Sequence, residues 1–74
     1  MNTWETSDLY LAAFLIARGF ELARHEREGW RVTLVFRDDA HMQAVLQTWQ
    51  TQDGVVVAHR YRDAVRDLKA LMHR

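Results

Sequence analysis

The sequence predicts an α+β fold in which helices pack on one face of a small antiparallel sheet. Nine consecutive apolar residues, Leu9 to Ala17, stand between helix-capping residues. Residues 30–37 alternate between apolar and polar side chains, as in a strand with one buried face. Two later stretches, from about residues 40 and 58, carry apolar residues at helical spacing. The resulting order of helix, strand, strand, helix, short strand and helix is typical of a compact α+β domain.

The first helix has clear end signals but no polar face. Thr6 or Ser7 is a favourable N-cap, Asp8 suits the first turn, and Arg18 followed by Gly19 suits the C-terminal end. A helix that is apolar on all sides must be covered on all sides. Because a 74-residue chain has little else with which to cover it, we expect this helix to meet another protein surface.

A β-hairpin follows the first helix. We expect strands over Phe20–Arg27 and Trp30–Arg37, joined by a turn at Glu28-Gly29. In the second strand one face should be buried and the other should face solvent. The buried face would carry Trp30, Val32, Leu34 and Phe36, and the solvent face would carry Arg31, Thr33, Val35 and Arg37. The first strand has Arg24 and Glu26 on its expected inner face, so it should fray or lie at the sheet edge.

The rest of the chain predicts two more helices. Asp38 and Asp39 should cap the second helix, and Asp53-Gly54 should end it; its core residues are Met42, Val45, Leu46 and Trp49. Val55–Val57 is either a short third strand, which we prefer, or an extended connection. The last helix should begin near Ala58, with a core stripe of Tyr61, Val65, Leu68 and Met72. We expect one domain over residues 1–74, with residues 1–5 loosely ordered.

Composition narrows the possible functions. Acidic and basic residues number 10 each, so no overall charge attracts the chain to nucleic acid or to an anionic membrane. Cysteine is absent, which excludes disulfides and thiolate metal sites. The apolar run is shorter than the about 20 residues that span a bilayer, and a signal peptide is not indicated. We expect a cytoplasmic protein without a membrane partner, stabilised by association if it needs support.

Candidate catalytic groups are few. Ser7, the single serine, stands at an expected helix cap, and no motif supplies a base or an oxyanion site. Asp38 and Asp39 are adjacent carboxylates whose usual role at a helix start is capping. The histidines (His25, His41, His59 and His73) lack zinc-site spacing, and three isolated glycines cannot build a phosphate loop. We therefore expect no enzyme, no metal and no cofactor.

Two groups of residues are candidates for contact with a partner. The apolar group is Trp4, Leu9, Tyr10, Phe14 and Ile16. Trp4 either packs against the first helix or anchors a partner, since exposed tryptophan is typical of interface hot spots. The basic group is a stripe on the last helix formed by Arg62, Arg66, Lys69 and His73. This stripe suits phosphates or an acidic protein surface, or it is a solvated face that pairs with Asp63.

Four blocks of the sequence form a recognisable set: TSDLYLAAF over residues 6–14, RGFEL over 18–22, LVFRD over 34–38 and DAVRDLKAL over 63–71. On these blocks the chain resembles a family of short bacterial and phage or mobile-element domains with no assigned function. It departs from them before the last helix, where an acidic cap is usual and this chain has Val57-Ala58-His59. The resemblance implies no catalytic residue and suggests a prophage, plasmid or transposon setting.

The sequence thus favours a non-catalytic interaction or accessory module that oligomerises or docks on a larger protein or nucleoprotein complex. A phage-type inhibitor of a host nucleoprotein complex is a special case of this hypothesis. The alternative is direct nucleic-acid binding through the basic stripe, together with Arg31 and Arg37 on the wet sheet face. A small enzyme, the third class, would need a pocket with convergent polar groups.

Overall fold

The computed structural model describes residues 2–38 and 40–73, which form three helices against a three-stranded antiparallel sheet. The strands are β1 (Thr3–Thr6), β2 (Leu22–Glu28) and β3 (Arg31–Arg37), and the helices are α1 (Leu9–Ala17), α2 (Ala40–Gln50) and α3 (Ala58–Met72). The predicted α+β class is confirmed. None of the helices in these residues is long and apolar enough to cross a membrane.

The strand order is β1-β3-β2, so β3 is the central strand. The third strand of the sheet differs from the prediction: β1 completes the sheet, and Val55–Val57 is an extended connection. Within the segment expected to be loosely ordered, residues 3–5 belong to β1. Trp4 lies opposite Phe36 in the ladder, with their ring centroids 6.3 Å apart. Trp4 therefore packs within the fold, and a four-residue strand is too short for its alternation to be recognised.

Val35 shows the effect of the central position of β3. It lies on the face of the sheet predicted to be wet, yet its side chain is fully buried. Its ladder partners are Glu5 on β1 and Arg24 on β2, and directly opposed side chains share one face of a sheet. We attribute its burial to these two long neighbours.

A β-bulge changes which face of β2 points toward the helices. The register shifts between Leu22 and Arg24, and beyond the shift His25 lies opposite Leu34. The expectation that Arg24 and Glu26 continue the inner face was wrong, because the extra residue of a bulge reverses the alternation. Arg27 pairs with Val32 and so lies on the helix side of the sheet, where it remains exposed. Its Nη2 donates to the carbonyl oxygen of Met72 at 3.0 Å. This bond satisfies a carbonyl at the end of α3.

The hairpin turn lies one residue later than predicted. Glu28 pairs with Arg31, so the two turn residues are Gly29 and Trp30. Gly29 has a φ of +63° and Trp30 does not have a positive φ, which suits a two-residue turn with glycine first. Trp30 was expected in the core but is 90% exposed, because it stands at the tip of the hairpin rather than in β3.

The ends of α1 follow local capping rules. The N-cap is Asp8, not Thr6 or Ser7, and its Oδ1 accepts from the backbone N–H groups of Tyr10 and Leu11 at 3.0 and 3.2 Å. At the other end Gly19 has a φ of +100°, and the Phe20 N–H donates to the Leu15 carbonyl. This is the Schellman arrangement that the position of Gly19 predicts.

The other two helices begin close to the predicted positions. Asp39, one of the two expected caps of α2, lies outside the described residues, and the Asp38 carboxylate accepts from the Gln43 side chain at 2.8 Å. α3 starts at Ala58, and no side chain caps it at Val57. The departure at residues 57–59 noted in the sequence thus corresponds to a helix start without a side-chain cap.

Candidate interaction site

The first helix is enclosed by its own chain. Its buried residues are Ala12, Ala13, Phe14, Leu15 and Ala17, and Leu9, Leu11 and Ile16 are partly buried against the same core. The prediction that this helix exceeds what one copy can cover was therefore wrong for most of its surface. The sheet and the other helices surround it, and its small alanines allow close packing. Tyr10, 49% exposed, is the predicted contact on α1 that remains open to a partner.

An open cleft lies where α1, the end of α2 and the start of α3 meet. Its volume is about 450 Å³, and it is lined by Phe14, Trp49, Gln52, Gly54, Val56 and Tyr61. The Phe14 and Trp49 rings form its apolar wall, with centroids 5.1 Å apart at an interplanar angle of 43°. Ligand and anchor sites in proteins typically occupy about 300–1,000 Å³ and are mostly apolar. The cleft therefore has room for one or two side chains of a partner.

The connection after α2 shapes the floor of this cleft. Gln52 takes a left-handed φ of +62°, and the Asp53 N–H donates to the Thr48 carbonyl at 2.9 Å. This turn brings Gly54 against Phe14, where an added Cβ would stand 2.7 Å from the ring. A side chain at residue 54 would therefore require the Phe14 ring to shift.

Tyr61 supplies the polar group at the α3 side of the cleft. Partial burial raises the pKa of its phenol above the ordinary value, with smaller contributions in the same direction from Tyr10 and from the Asp8 carboxylate. The phenol therefore stays protonated well into alkaline pH and can donate a hydrogen bond to a bound group.

Exposed valines extend the apolar surface beyond the cleft. Val55 is 73% exposed and Val57 is 47% exposed, and we call this pair the valine rim. Arg18 Nη1 donates to the Val55 carbonyl at 2.9 Å and holds the connection against the end of α1. Arg60 lines a shallow hollow of about 360 Å³ together with these residues. Two arginines, Arg18 and Arg60, thus lie beside the valine rim.

The predicted basic stripe is exposed along α3, but its arginines have acidic neighbours. Asp63 Oδ1 lies 3.3 Å from Arg62 Nη2 and 3.6 Å from Arg66 Nη1. Arg66 also approaches Asp67 at 3.4 Å. These exposed pairs are weak and exchange easily, yet they reduce the positive field of the stripe. Lys69 and His73, both exposed, complete the stripe toward the C-terminal end of α3.

The structure separates the residues that the sequence grouped together. Phe14 lies in the wall of the cleft, whereas Leu9 and Ile16 are half-buried and Trp4 packs on Phe36. The valine rim, Arg60 and the cleft residues after α2 were not predicted as a site. One signal in the sequence pointed to them: Val55–Val57 are three consecutive apolar residues between the second and third predicted helices.

Few side chains in the described parts of the chain are arranged for metal binding or catalysis. Within residues 2–38 and 40–73 no group of three or more histidine, aspartate or glutamate side chains is arranged to hold a metal ion. The polar groups of the cleft are an amide and a phenol, Gln52 and Tyr61, which are suited to hydrogen bonding.

Comparison with known proteins gives a family without a function. The model of a domain of unknown function (DUF5659) matches residues 1–74, and the chain belongs to this family. The resemblance seen in the sequence is confirmed to that extent, and the match also includes residues before Thr6. No curated protein and no solved structure matches the chain.

Proposed function

We propose that this DUF5659 domain is a non-catalytic interaction module that docks on a larger protein through the cleft and the valine rim. The observation that supports this most strongly is that Val56 lines both the cleft of about 450 Å³ and the adjoining hollow, where Val55 and Val57 are exposed. Apolar surface that a monomer leaves exposed in one contiguous area marks an interaction site in many soluble proteins.

The cleft suits an apolar or aromatic side chain of the partner. Full burial of one such side chain contributes about 1.5–3 kcal/mol, so one anchor in the cleft and contacts on the rim provide specific association. The phenol of Tyr61 can orient the anchor through a hydrogen bond, because a buried polar group favours a partner that satisfies it.

The arginines at the rim favour an acidic partner surface around the anchor. Arg18 lies beside Val55, and Arg60 lines the adjoining hollow. Opposite charge around an apolar contact fixes orientation and increases the association rate. We therefore propose a partner segment in which carboxylates flank an apolar side chain.

The biological setting belongs to the same proposal. The sequence resemblance supports a phage or mobile-element context in which the partner is part of a nucleoprotein complex of the cell. An inhibitor of such a complex is the special case, and the proposed location is the cytoplasm. In this setting nucleic acid is contacted through the complex rather than by the module itself.

Site-specific crosslinking in the native cell tests the proposal. A photoreactive amino acid at Val55 should crosslink one discrete partner, whereas the same group at Ala70, an exposed position on α3, should not. Val57→Asp should abolish the Val55 crosslink, and Ala70→Asp should leave it intact. Equal crosslinking from both positions, or none from Val55, contradicts docking at this site.

A gel-shift titration examines the nucleic-acid alternative directly. Direct binding predicts a complex with DNA or RNA whose affinity falls steeply with salt and which Lys69→Glu weakens. Docking through the rim predicts no shift by the isolated chain. A salt-dependent shift that Lys69→Glu abolishes and Val57→Asp leaves unchanged would replace the docking proposal by the alternative.

A further inference from the structure

The sheet has two open edges, and they differ in their ability to accept another strand. Within the described chain β1 and β2 each pair with β3 alone. From Arg24 to Glu28 every residue of β2 is charged or is a histidine, and a bulge interrupts its ladder; both features discourage further pairing. β1 pairs with β3 without a shift in register, and Glu5 is its single charged residue. The edge of β1 is therefore the more suitable of the two for an added strand.

The backbone of β1 offers hydrogen-bonding groups at two residues of this edge. The Asp38 N–H donates to the Asn2 carbonyl at 3.2 Å, which makes residues 2 and 38 a hydrogen-bonded pair. Such pairs alternate with non-bonded pairs along an antiparallel ladder. Trp4 therefore directs its N–H and carbonyl toward β3, whereas Thr3 and Glu5 direct theirs toward the open edge. A strand added in antiparallel orientation would exchange bonds with Thr3 and Glu5.

A groove adjoins the same edge on the helix side of the sheet. Its volume is about 490 Å³. Its lining includes Trp4, Gln43, Leu46, Gln47, Trp49 and Gln50. Phe36, which is the neighbour of Trp4 on β3, does not line the groove. The groove thus extends from Trp4 away from β3, between the open edge and α2.

An added strand would place one side chain beside this groove and the two adjoining side chains on the outer face of the sheet. The Trp4 ring packs on Phe36, a core residue, so the Trp4 side chain lies on the helix side. A residue that pairs with Trp4 shares that face. Residues that pair with Thr3 and Glu5 point to the opposite face, because successive side chains of a strand alternate.

The groove and the outer face select different side chains. None of the described residues that line the groove is charged, and an unpaired charge is costly to bury. Trp4 and Trp49 offer ring surface, and the amides of Gln47 and Gln50 donate and accept hydrogen bonds, so an aromatic side chain with a polar tip, such as tyrosine, fits. On the outer face Glu5 is exposed and has no ion-pair partner in the described chain. A basic residue is therefore favoured opposite Glu5.

We propose that β1 binds an extended segment of a partner protein as a fourth, antiparallel strand, with an uncharged aromatic side chain opposite Trp4 and a basic residue opposite Glu5. In strand addition of this kind main-chain bonds give affinity and pockets for alternate side chains give specificity. Because β1 has four residues, the ladder is short and the side chain in the groove must contribute much of the affinity. The proposal is independent of docking at the valine rim. The groove shares Trp49 with the docking cleft, so the tests leave that residue unchanged.

A titration followed by heteronuclear NMR spectroscopy tests the strand addition. The probe is the acetylated and amidated pentapeptide Val-Lys-Tyr-Thr-Val, because antiparallel pairing places its lysine opposite Glu5 when its tyrosine lies opposite Trp4. Binding should be saturable, with the largest shifts at the backbone amides of Thr3 and Glu5, which gain hydrogen bonds. The peptide with lysine and threonine exchanged should bind about fivefold more weakly, and the peptide with aspartate in place of tyrosine about tenfold more weakly.

Methylation of single backbone nitrogens in the probe reports its direction and register. In the proposed ladder the lysine and the threonine exchange bonds with Glu5 and Thr3, whereas the tyrosine N–H points away from β1. N-methylation of the lysine or of the threonine should therefore raise the dissociation constant about tenfold, and N-methylation of the tyrosine should change it little. A peptide that is sensitive at the tyrosine alone, or equally at all three positions, contradicts antiparallel addition.

Variants of the protein separate this edge from other modes of binding. Glu5→Lys should weaken binding of the probe about tenfold and should favour the peptide in which glutamate replaces lysine. Glu28→Lys makes the same charge change on the same sheet face at the far edge, and it should have no effect. Val57→Asp, which tests docking, should also leave peptide binding unchanged.

Three results would overturn the proposal. The first is the absence of saturable binding up to millimolar peptide, and the second is binding that Glu5→Lys leaves intact in a variant that folds normally by circular dichroism. The third is a dimer of the chain alone, measured by sedimentation velocity, that Glu5→Lys dissociates, since it would assign the edge of β1 to a second copy.

Discussion

Gly54 stands so close to Phe14 that a Cβ at residue 54 would lie 2.7 Å from Cζ of the ring. Phe14 is 2% exposed and its ring packs on Trp49, so a shift of the ring would disturb that packing. The contact joins the connection after α2 to the central helix, and it holds the floor of the proposed docking cleft in place.

Gly54→Ala should therefore destabilise the fold by about 1–3 kcal/mol, the usual cost of overpacking. Urea unfolding measures this loss. Phe14→Leu in the same chain should recover part of it, because a smaller side chain makes room for the new methyl group; this non-additivity is the decisive observation. Two independent, additive losses would show that steric conflict with Phe14 is not the cause.

Arg27→Met should destabilise the protein by about 0.5–1.5 kcal/mol, since it removes the bond from Nη2 to the Met72 carbonyl at the end of α3. Amide hydrogen exchange should also accelerate in the last turn of α3. Arg62→Met is the matched control, because Arg62 is exposed and its ion pair described above is with its neighbour Asp63 on the same helix. Equal effects of the two substitutions on α3 would contradict the assigned role of Arg27.

Asp8→Ala should cost about 1 kcal/mol of stability, because Asp8 accepts two backbone N–H bonds at the start of α1. Ser7→Ala should cost clearly less. The Ser7 hydroxyl accepts a bond of 3.3 Å from Arg31 Nε on the surface and does not cap the helix. Thermal unfolding of the two variants compares the capping residue seen in the structure with one that the sequence suggested; a larger loss for Ser7→Ala would reverse this assignment.

The raised pKa of Tyr61 predicts a loss of stability at alkaline pH. The unfolded chain deprotonates this phenol near pH 10, whereas the folded chain holds the proton to a higher pH. Stability should therefore be unaffected at neutral pH and fall as pH rises from about 10 through the pKa of the folded state. Tyr61→Phe should flatten this part of the profile, as measured by unfolding free energy against pH.

Absorbance titration of the phenolate supplies a second measurement. In Tyr10→Phe the remaining tyrosine is Tyr61, and its midpoint in the folded protein should lie above that of the same chain in denaturant. Coincident midpoints would show that partial burial does not affect the phenol.

Local interactions determined most of what the sequence predicted correctly. The end of α1 at Gly19 follows from a left-handed residue that glycine tolerates best, and the inner face of β3 follows from alternation over seven residues. The stripe of α2 that contains Met42 and Val45 was equally readable, because helical spacing places these residues on one side. The α+β class required nothing beyond these local patterns.

Long-range packing decided the rest, including the site. The sequence shows that α1 is apolar on all sides, but only the assembled fold shows that the sheet and two helices enclose it and leave Tyr10 exposed. The pairing of β1, the bulge that places Arg27 on the helix side of the sheet and the turn that exposes Trp30 depend on the registers in which the strands pair. Such registers are set by the total burial of a sheet face rather than by any short segment, and for that reason the cleft and the open edge of β1 became visible only in three dimensions.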